Sequence, residues 1–226
     1  MAKGFFITGT DTGVGKTKIS CAMLGMFAAR GYKVIGMKPI AAGRENGIWQ
    51  DVELLRTASN IPAAVLDMNP YAFDSPISPH LAAQQSGITI DLSVIERSYH
   101  RLSMQADMVI VEGVGGFLVP LNKTETGEDL AKMLGLPVIL VGGMRLGCLN
   151  HALLTVKAIR AAKLNLAGWI ANCIDPQMEA VTENIATLQQ RLEAPLLNSV
   201  HFGKELDQSV MSDLTCWNKS LITEAE

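Results

Sequence analysis

The chain has 226 residues, 48% of them apolar and only 18% charged, with a formal net charge of −3. That balance excludes large-scale disorder and supplies the side chains for one compact domain over residues 1–226. With no polybasic block, neither nucleic acid nor an anionic membrane is expected as a partner.

Met1-Ala2-Lys3-Gly4 leads straight into an apolar strand, Phe5-Phe6-Ile7, with no small-residue cleavage site, so no signal peptide is read. The strand ends at Thr8-Gly9. Ile19, Met23, Met26 and Phe27 then recur at helical spacing and predict an amphipathic helix, which Gly31 stops. Lys33-Val34-Ile35-Gly36-Met37 reads as a second strand. From Lys38 to Ser86 glycine, proline and asparagine are frequent, which predicts a looser insertion or cap that shapes a substrate site. Asp91 is placed as the N-cap of a helix whose apolar face is Leu92, Ile95, Tyr99 and Leu102. Met108-Val109-Ile110-Val111 is apolar throughout, as a strand buried on both faces would be, and Pro137–Val141 is another such run. A helix after Asn150, a strand over Leu166–Ala171 and a helix carrying Val181, Ile185, Leu188 and Leu192 continue the series up to Pro195-Leu196-Leu197. The tail from Gly203 has weak periodicity and no assigned role. Alternating strands and helices predict an α/β fold: a doubly wound, mostly parallel sheet with helices on both faces. The apolar stretch around Leu136–Val141 is far too short to cross a bilayer. Cys21, Cys148, Cys173 and Cys216 are scattered without metal-ligand spacing, as expected of reduced thiols in a cytoplasmic protein.

Chemistry enters at Gly9-Thr10-Asp11-Thr12-Gly13-Val14-Gly15-Lys16-Thr17, between the first strand and the first helix. Glycines let backbone amides curl around an anion, and a helix N-terminus adds partial positive charge. Lys16 can reach the terminal phosphates and the Thr17 hydroxyl can join a magnesium ion, so a nucleoside triphosphate is expected. The first glycine stands one residue early, at Gly9 rather than position 10, and a plain Gly-rich turn is the bland alternative. Glu112 ends an apolar strand and opens Gly113-Val114-Gly115-Gly116, the place for a magnesium ligand, although a solvated strand-end glutamate has the same look. Asp51 is a second candidate ligand, or equally a first-turn aspartate of a helix. Lys38, directly after the second strand, can stabilise charge in phosphoryl transfer, or can be a solvated strand-end lysine. Asn172 ends a later strand with an amide that can meet a purine edge or simply make a turn. The histidines are not spaced as metal ligands, and the 11 methionines suit core filling.

Further motifs carry a resemblance that runs over roughly residues 3 to 202. They are Lys38-Pro39-Ile40-Ala41-Ala42-Gly43, Asn69-Pro70-Tyr71-Ala72-Phe73 with Ser78-Pro79-His80, Leu146-Gly147-Cys148-Leu149-Asn150-His151 and Gly168-Trp169-Ile170-Ala171-Asn172. Together with the phosphate loop and the Glu112 turn, these resemble the dethiobiotin synthetases. The resemblance implies a cytoplasmic homodimer that uses Mg2+ and ATP to convert 7,8-diaminononanoate and CO2 (or bicarbonate) to dethiobiotin, ADP and phosphate. By the same resemblance Lys38 and Lys16 are catalytic, and Thr17, Asp51 and Glu112 gather around the metal. ATP would be held by Gly13, Val14, Gly15, Lys16, Thr17 and Lys18 at the phosphates, with Asp51, Glu112, Gly113, Val114 and Gly115 alongside. Asn172 and Cys173 would lie on the adenine side. Ala42 and the Gly147, Cys148 and Asn150 turn would touch the substrate, the turn from the partner subunit.

Three positions depart from the family pattern. Ala42 replaces a usual serine, removing one hydrogen bond of on the order of 1 kcal/mol. Cys173 replaces a common aspartate, and Val200-His201-Phe202 lacks the usual proline of a nucleotide loop. Two other readings share the phosphate loop. A cobyrinate-type amide synthase would need room for a glutamine-hydrolysing domain. A partition or positioning ATPase would carry an extra lysine where this chain has Thr10-Asp11-Thr12.

Overall fold

The computed structural model describes residues 3–204. In chain order the elements are β1 (Lys3–Gly9), α1 (Lys16–Ala29), β2 (Val34–Met37), β3 (Ile40–Ala42), α2 (Gln50–Ala58), α3 (Val65–Met68), β4 (Tyr71–Phe73) and α4 (Pro79–Gln85). They continue with α5 (Leu92–Ser103), β5 (Met108–Glu112), α6 (Gly127–Leu134), β6 (Val138–Met144), α7 (Cys148–Ala161), β7 (Leu166–Cys173), α8 (Val181–Arg191) and β8 (Leu196–Val200).

The main sheet has six strands in the order β2-β5-β1-β6-β7-β8. Every neighbouring pair is parallel, as the long apolar runs predict. Side chains alternate between faces, so each strand feeds two layers. Phe5, Ile7, Ile110, Ile139 and Val141 pack with Ile19, Met23 and Phe27 of α1 and Leu55 of α2. Phe6, Val109, Val111 and Val138 face the other way, onto Ile95 and Leu102 of α5 and Leu130 of α6. Leu140, Trp169 and Ala171 extend that second face beneath α7 and α8.

Register decides where the chemistry sits. Ile7 pairs with Glu112 and Met37 with Val111, so β1, β2 and β5 end at one edge of the sheet. Lys38 and Glu112 are thereby brought side by side, next to the loop that leaves β1.

Two expectations are corrected, and one helix was not anticipated. The 38–86 region is no loose insertion, since it folds into a two-stranded parallel sheet, β3-β4, with α2, α3 and α4 around it. Lys38 N–H donates to Met68 O at 2.8 Å, and Asn69 Nδ2 donates to Lys38 O at 2.6 Å, binding this unit to the end of β2. Its elements are three to nine residues long, too short for a periodicity to register. A helix at α6 escapes the apolar pattern, although Asp129 Oδ2 accepts from the Thr126 N–H at 2.8 Å as an N-terminal cap. Helix α7 opens at Cys148, ahead of Asn150, because Gly147 adopts φ +93 at its N-cap. Asp91 caps α5 as expected, accepting from Ser93 N–H at 2.9 Å. The tail assigned from Gly203 lies, beyond Lys204, outside the described residues, and Cys216 with it. The other three cysteines are free thiols.

Candidate functional site

The loop between β1 and α1 can form only with glycine at two turns. Gly13 has φ +74 and Gly15 φ +92. A Cβ on Gly15 would stand 2.2 Å from Asn172 Nδ2. The amides that open the 14-residue α1 have no side-chain cap, which leaves them for an anion. Thr10, where a first glycine is usual, is tied down twice. Its N–H donates to Val141 O at 3.0 Å and its hydroxyl accepts from Gly143 N–H at 3.3 Å. Lys16 Nζ donates to Asp11 O at 2.9 Å and to Gly115 O at 2.7 Å, spanning from the loop to the turn after β5. Burial, and then the Lys38 charge, push its ammonium down to about 8, against the pull of Glu112, Asp51 and Asp11.

Four elements deliver the charged cluster beside that loop. Lys38 follows β2, Asp51 lies in the first turn of α2, Glu112 ends β5 and Thr17 sits in the first turn of α1. Lys38 Nζ lies 2.5 Å from Glu112 Oε1 and 2.9 Å from Asp51 Oδ2, and also donates to Gly113 O at 3.3 Å. Thr17 Oγ1 is 3.0 Å from Asp51 Oδ1 and 2.9 Å from Glu112 Oε1. The side chains of Lys38 and Glu112 are 4% and 0% exposed, against 46% for Asp51. Burial works to lower the Lys38 pKa, but the Glu112 and Asp51 carboxylates outweigh it and raise it, keeping the ammonium charged. Burial likewise works to raise Asp51, and Lys38 with Thr17 brings it below the ordinary value. Two ammonium groups thus balance two carboxylates in a region mostly shut off from water.

The same oxygens suit a magnesium ion. Glu112 Oε2 is buried with no hydrogen-bond partner among the described residues. Thr17 Oγ1 and both carboxylates converge on one point. Among the described residues no three of His, Cys, Asp and Glu gather into a cage of their own. Two carboxylates and a hydroxyl are instead the partial set that a hard cation sharing phosphate and water oxygens requires.

A cleft of about 810 Å³ opens over this cluster. Of the anticipated residues, Gly13, Gly15, Lys16, Thr17, Lys38, Ala42, Asp51, Glu112, Val114 and Gly115 line it. Others are not among the lining residues. Val14 is buried in the core, and its carbonyl accepts from Asn172 Nδ2 at 2.7 Å, so the asparagine braces the phosphate loop. Gly113 N–H is spent on Ile7 O at 2.9 Å, and Lys18 Nζ reaches Lys204 O at 2.5 Å. Cys173 is buried, which pushes its thiol up against the lowering effect of a hydrogen bond with Ser199. Gly147, Cys148 and Asn150 stand at the mouth of α7 and are not among the lining residues.

Sequence reasoning passed over Asp11 and Arg145. Arg145 Nη2 lies 2.5 Å from Asp11 Oδ2, linking the phosphate loop to the turn that opens α7. The Thr12 backbone N–H holds the Asp11 carboxyl below its ordinary value; burial opposes it, and Arg145 adds to the lowering. An arginine just past an apolar strand was the only local signal. Ser78, Ile77 and Leu81, which line the apolar side of the cleft, also went unassigned.

Fold and site together define a phosphate-loop nucleotide-binding protein of the doubly wound α/β class. Solved structures agree on the fold. A MinC–MinD cell division complex from Aquifex aeolicus aligns at TM-score 0.58 and 14% identity, covering 93% of this chain and 86% of that one. A ParA family ATPase from Chlorobium tepidum gives 0.54 and 13%, covering 100% and 93%. A family profile described as an AAA domain matches residues 3–210. The protein named ATP-dependent dethiobiotin synthetase BioD from Nitrosospira multiformis is 56% identical over 214 residues, 95% of each chain. Its namesake from Aromatoleum aromaticum is 50% identical over 202 residues, 88% of this chain and 90% of that one. This chain belongs to the dethiobiotin synthetase family. Among the described residues no helix is long and apolar enough to cross a membrane.

Proposed function

We propose that the chain is a cytoplasmic, ATP-dependent cyclo-ligase of one domain. It would carboxylate 7,8-diaminononanoate with CO2 and close the ureido ring of dethiobiotin, with release of ADP and phosphate. The observation that carries this reading is the convergence of Lys38, Thr17, Asp51 and Glu112 beside Lys16, in a chain of this family. One amine adds to CO2 to form a carbamate. A carbamate oxygen then attacks the terminal phosphate of ATP, ADP departs, and the second amine closes on the activated carbonyl and expels phosphate.

The phosphate, metal and Lys38 roles follow from the chemistry of the groups, and the adenine and substrate roles from the family resemblance. The amides and ammonium of Gly13–Lys18 hold the phosphates, and Lys38 offsets negative charge on the carbamate and the transferring phosphoryl group. Thr17, Asp51 and Glu112 would hold Mg2+, which supplies charge neutralisation at the phosphates. Asn172 and Cys173 are assigned to the adenine side, Asn172 through the atoms that bracing Val14 leaves free. Ala42 adjoins the substrate. Gly147, Cys148 and Asn150 serve its carboxylate from the partner of a homodimer. Leu146, 96% exposed, and Leu154, 57% exposed, give that face an apolar surface to cover.

The test is ADP release by the purified protein with Mg-ATP, with and without 7,8-diaminononanoate and bicarbonate. Release should depend on both additions, with dethiobiotin formed in equal amount. ATP turnover indifferent to the diamine would end this reading.

A further inference from the structure

The first half of the phosphate loop is fastened to the end of β6. Thr10 N–H donates to Val141 O at 3.0 Å, its hydroxyl accepts from Gly143 N–H at 3.3 Å, and Arg145 Nη2 meets Asp11 Oδ2 at 2.5 Å. The strand runs close under the loop, since a Cβ on Gly143 would stand 2.7 Å from Val14 Cγ1. Arg145 is itself held from behind. It follows Met144, which pairs with Cys173 of β7, and its carbonyl accepts from Cys148 N–H at 3.0 Å in the turn that opens α7.

Asp11 passes this anchorage on. Its Oδ2 is on Arg145, while its Oδ1 accepts from Thr12 N–H at 2.7 Å, so the side chain fixes the backbone that leads into the turn at Gly13. The carbonyl of the same residue accepts from Lys16 Nζ at 2.9 Å. The other hydrogen bond of that ammonium among the described residues is to Gly115 O at 2.7 Å. Contacts therefore run from Arg145 through Asp11 to Lys16, from the end of a buried strand to a cation that lines the cleft. Asp11 and Arg145 are not among the lining residues, so their effect on bound phosphates passes through the loop they hold.

A lysine in this place is useful only when it stands ready. Charge on a transferring phosphoryl group is stabilised by a cation already in position, and a displacement of about 1 Å can cost up to about 10²-fold in rate. Without a cation at position 145, the Asp11 side chain is released on one side, and the carbonyl that holds Lys16 is released with it. We propose that Arg145 is a positioning residue that acts through Asp11 to hold Lys16 against the terminal phosphates. The assignment rests on the reaction proposed above and adds to it a residue that touches no substrate. Because the Asp11–Arg145 pair is half-exposed, it contributes little to stability, and its effect belongs in the rate.

Steady-state kinetics on the full chain test it with Arg145→Met, Asp11→Ala, the double variant and Arg145→Lys. Arg145→Met should lower kcat about ten- to hundredfold and leave KM for 7,8-diaminononanoate within about twofold. Added to Asp11→Ala, the same substitution should change kcat by less than about twofold, because the link is already broken. Arg145→Lys, which keeps the charge, should recover most of the rate. The melting temperature of Arg145→Met should stay within about 3 °C of the parent. If the unmodified protein turns over with the diamine and Arg145→Met matches its kcat within twofold, the assignment is overturned and the reaction stands. A raised diamine KM at unchanged kcat, which would put the effect on the α7 turn, overturns it too. So does a further loss of rate when Arg145→Met is added to Asp11→Ala, or a melting temperature that falls together with the rate. Absence of diamine-dependent ADP release from the unmodified protein removes the proposed reaction, and this assignment with it.

Discussion

At Lys38 the fold holds an ammonium out of water, an arrangement that is tolerable only because two carboxylates and a carbonyl surround it. The dependence is mutual. Glu112 is the more deeply buried partner, with one oxygen on Lys38 and Thr17 and the other unpartnered. In Lys38→Met the carboxylate would remain in the interior without its counter-charge. Removing one partner of a buried pair costs about 3–5 kcal/mol, so urea unfolding should show a loss of that size. Turnover should fall by roughly 10²- to 10³-fold, as when a group that stabilises transition-state charge is removed. A variant as stable and as active as the parent would mean that Lys38 and Glu112 do not depend on each other as described. Lys38, Asp51 and Glu112 were each legible as candidates from their place after a strand or loop. For Lys38 and Glu112 the bland alternative, a solvated strand end, is excluded by burial that no local pattern encodes, whereas Asp51 is also the first-turn aspartate of α2 that its alternative named.

Among the elements, those that span whole turns or long apolar runs could be read directly. α1, α5, α8 and the strands β1, β5, β6 and β7 all stand where spacing placed them, within a few residues at the ends. The elements between β2 and α4 could not, because strands and helices of three to nine residues carry too few positions for a period. α6 was missed for a related reason. It carries an apolar face, with Leu130 and Ala131 buried, but its eight residues give only about two turns of spacing, and the Thr126–Asp129 cap that opens it went unread. Asp129 Oδ2 accepts from the Thr126 N–H at 2.8 Å and from its hydroxyl at 3.0 Å. Asp129→Ala should therefore cost about 1 kcal/mol in urea unfolding. Nucleotide affinity should not change, because no residue of α6 lines the cleft. A weakened nucleotide affinity would show that α6 is coupled to the phosphate loop by a route these contacts do not reveal.

For the molecule as a whole, α7 and the turn before it carry exposed apolar side chains, which the proposed homodimer would cover. Leu146 is 96% exposed and Leu154 57%, with Arg145 tying the same turn to Asp11 of the phosphate loop. Light scattering on the purified protein should give a dimer, and Leu146→Asp should shift it to monomer by placing a charge in that contact. A protein monomeric at micromolar concentration would remove the homodimer from the proposal. The amino-acid sequence by itself determined what depends on neighbours along the chain: the strand–helix alternation, the glycine-bearing phosphate loop, the Asp91 cap and the family motifs. Their signals are dihedral, periodic or contiguous, so a short window contains them. Tertiary structure alone decided the meeting of Lys38 with Glu112, 74 positions apart, and of Arg145 with Asp11, 134 apart. It alone brought Ser78 to the cleft. Those meetings follow from the strand order β2-β5-β1-β6, and parallel neighbours are chosen by how crossover helices bury the two faces of the sheet, a property of the packed whole that no segment contains.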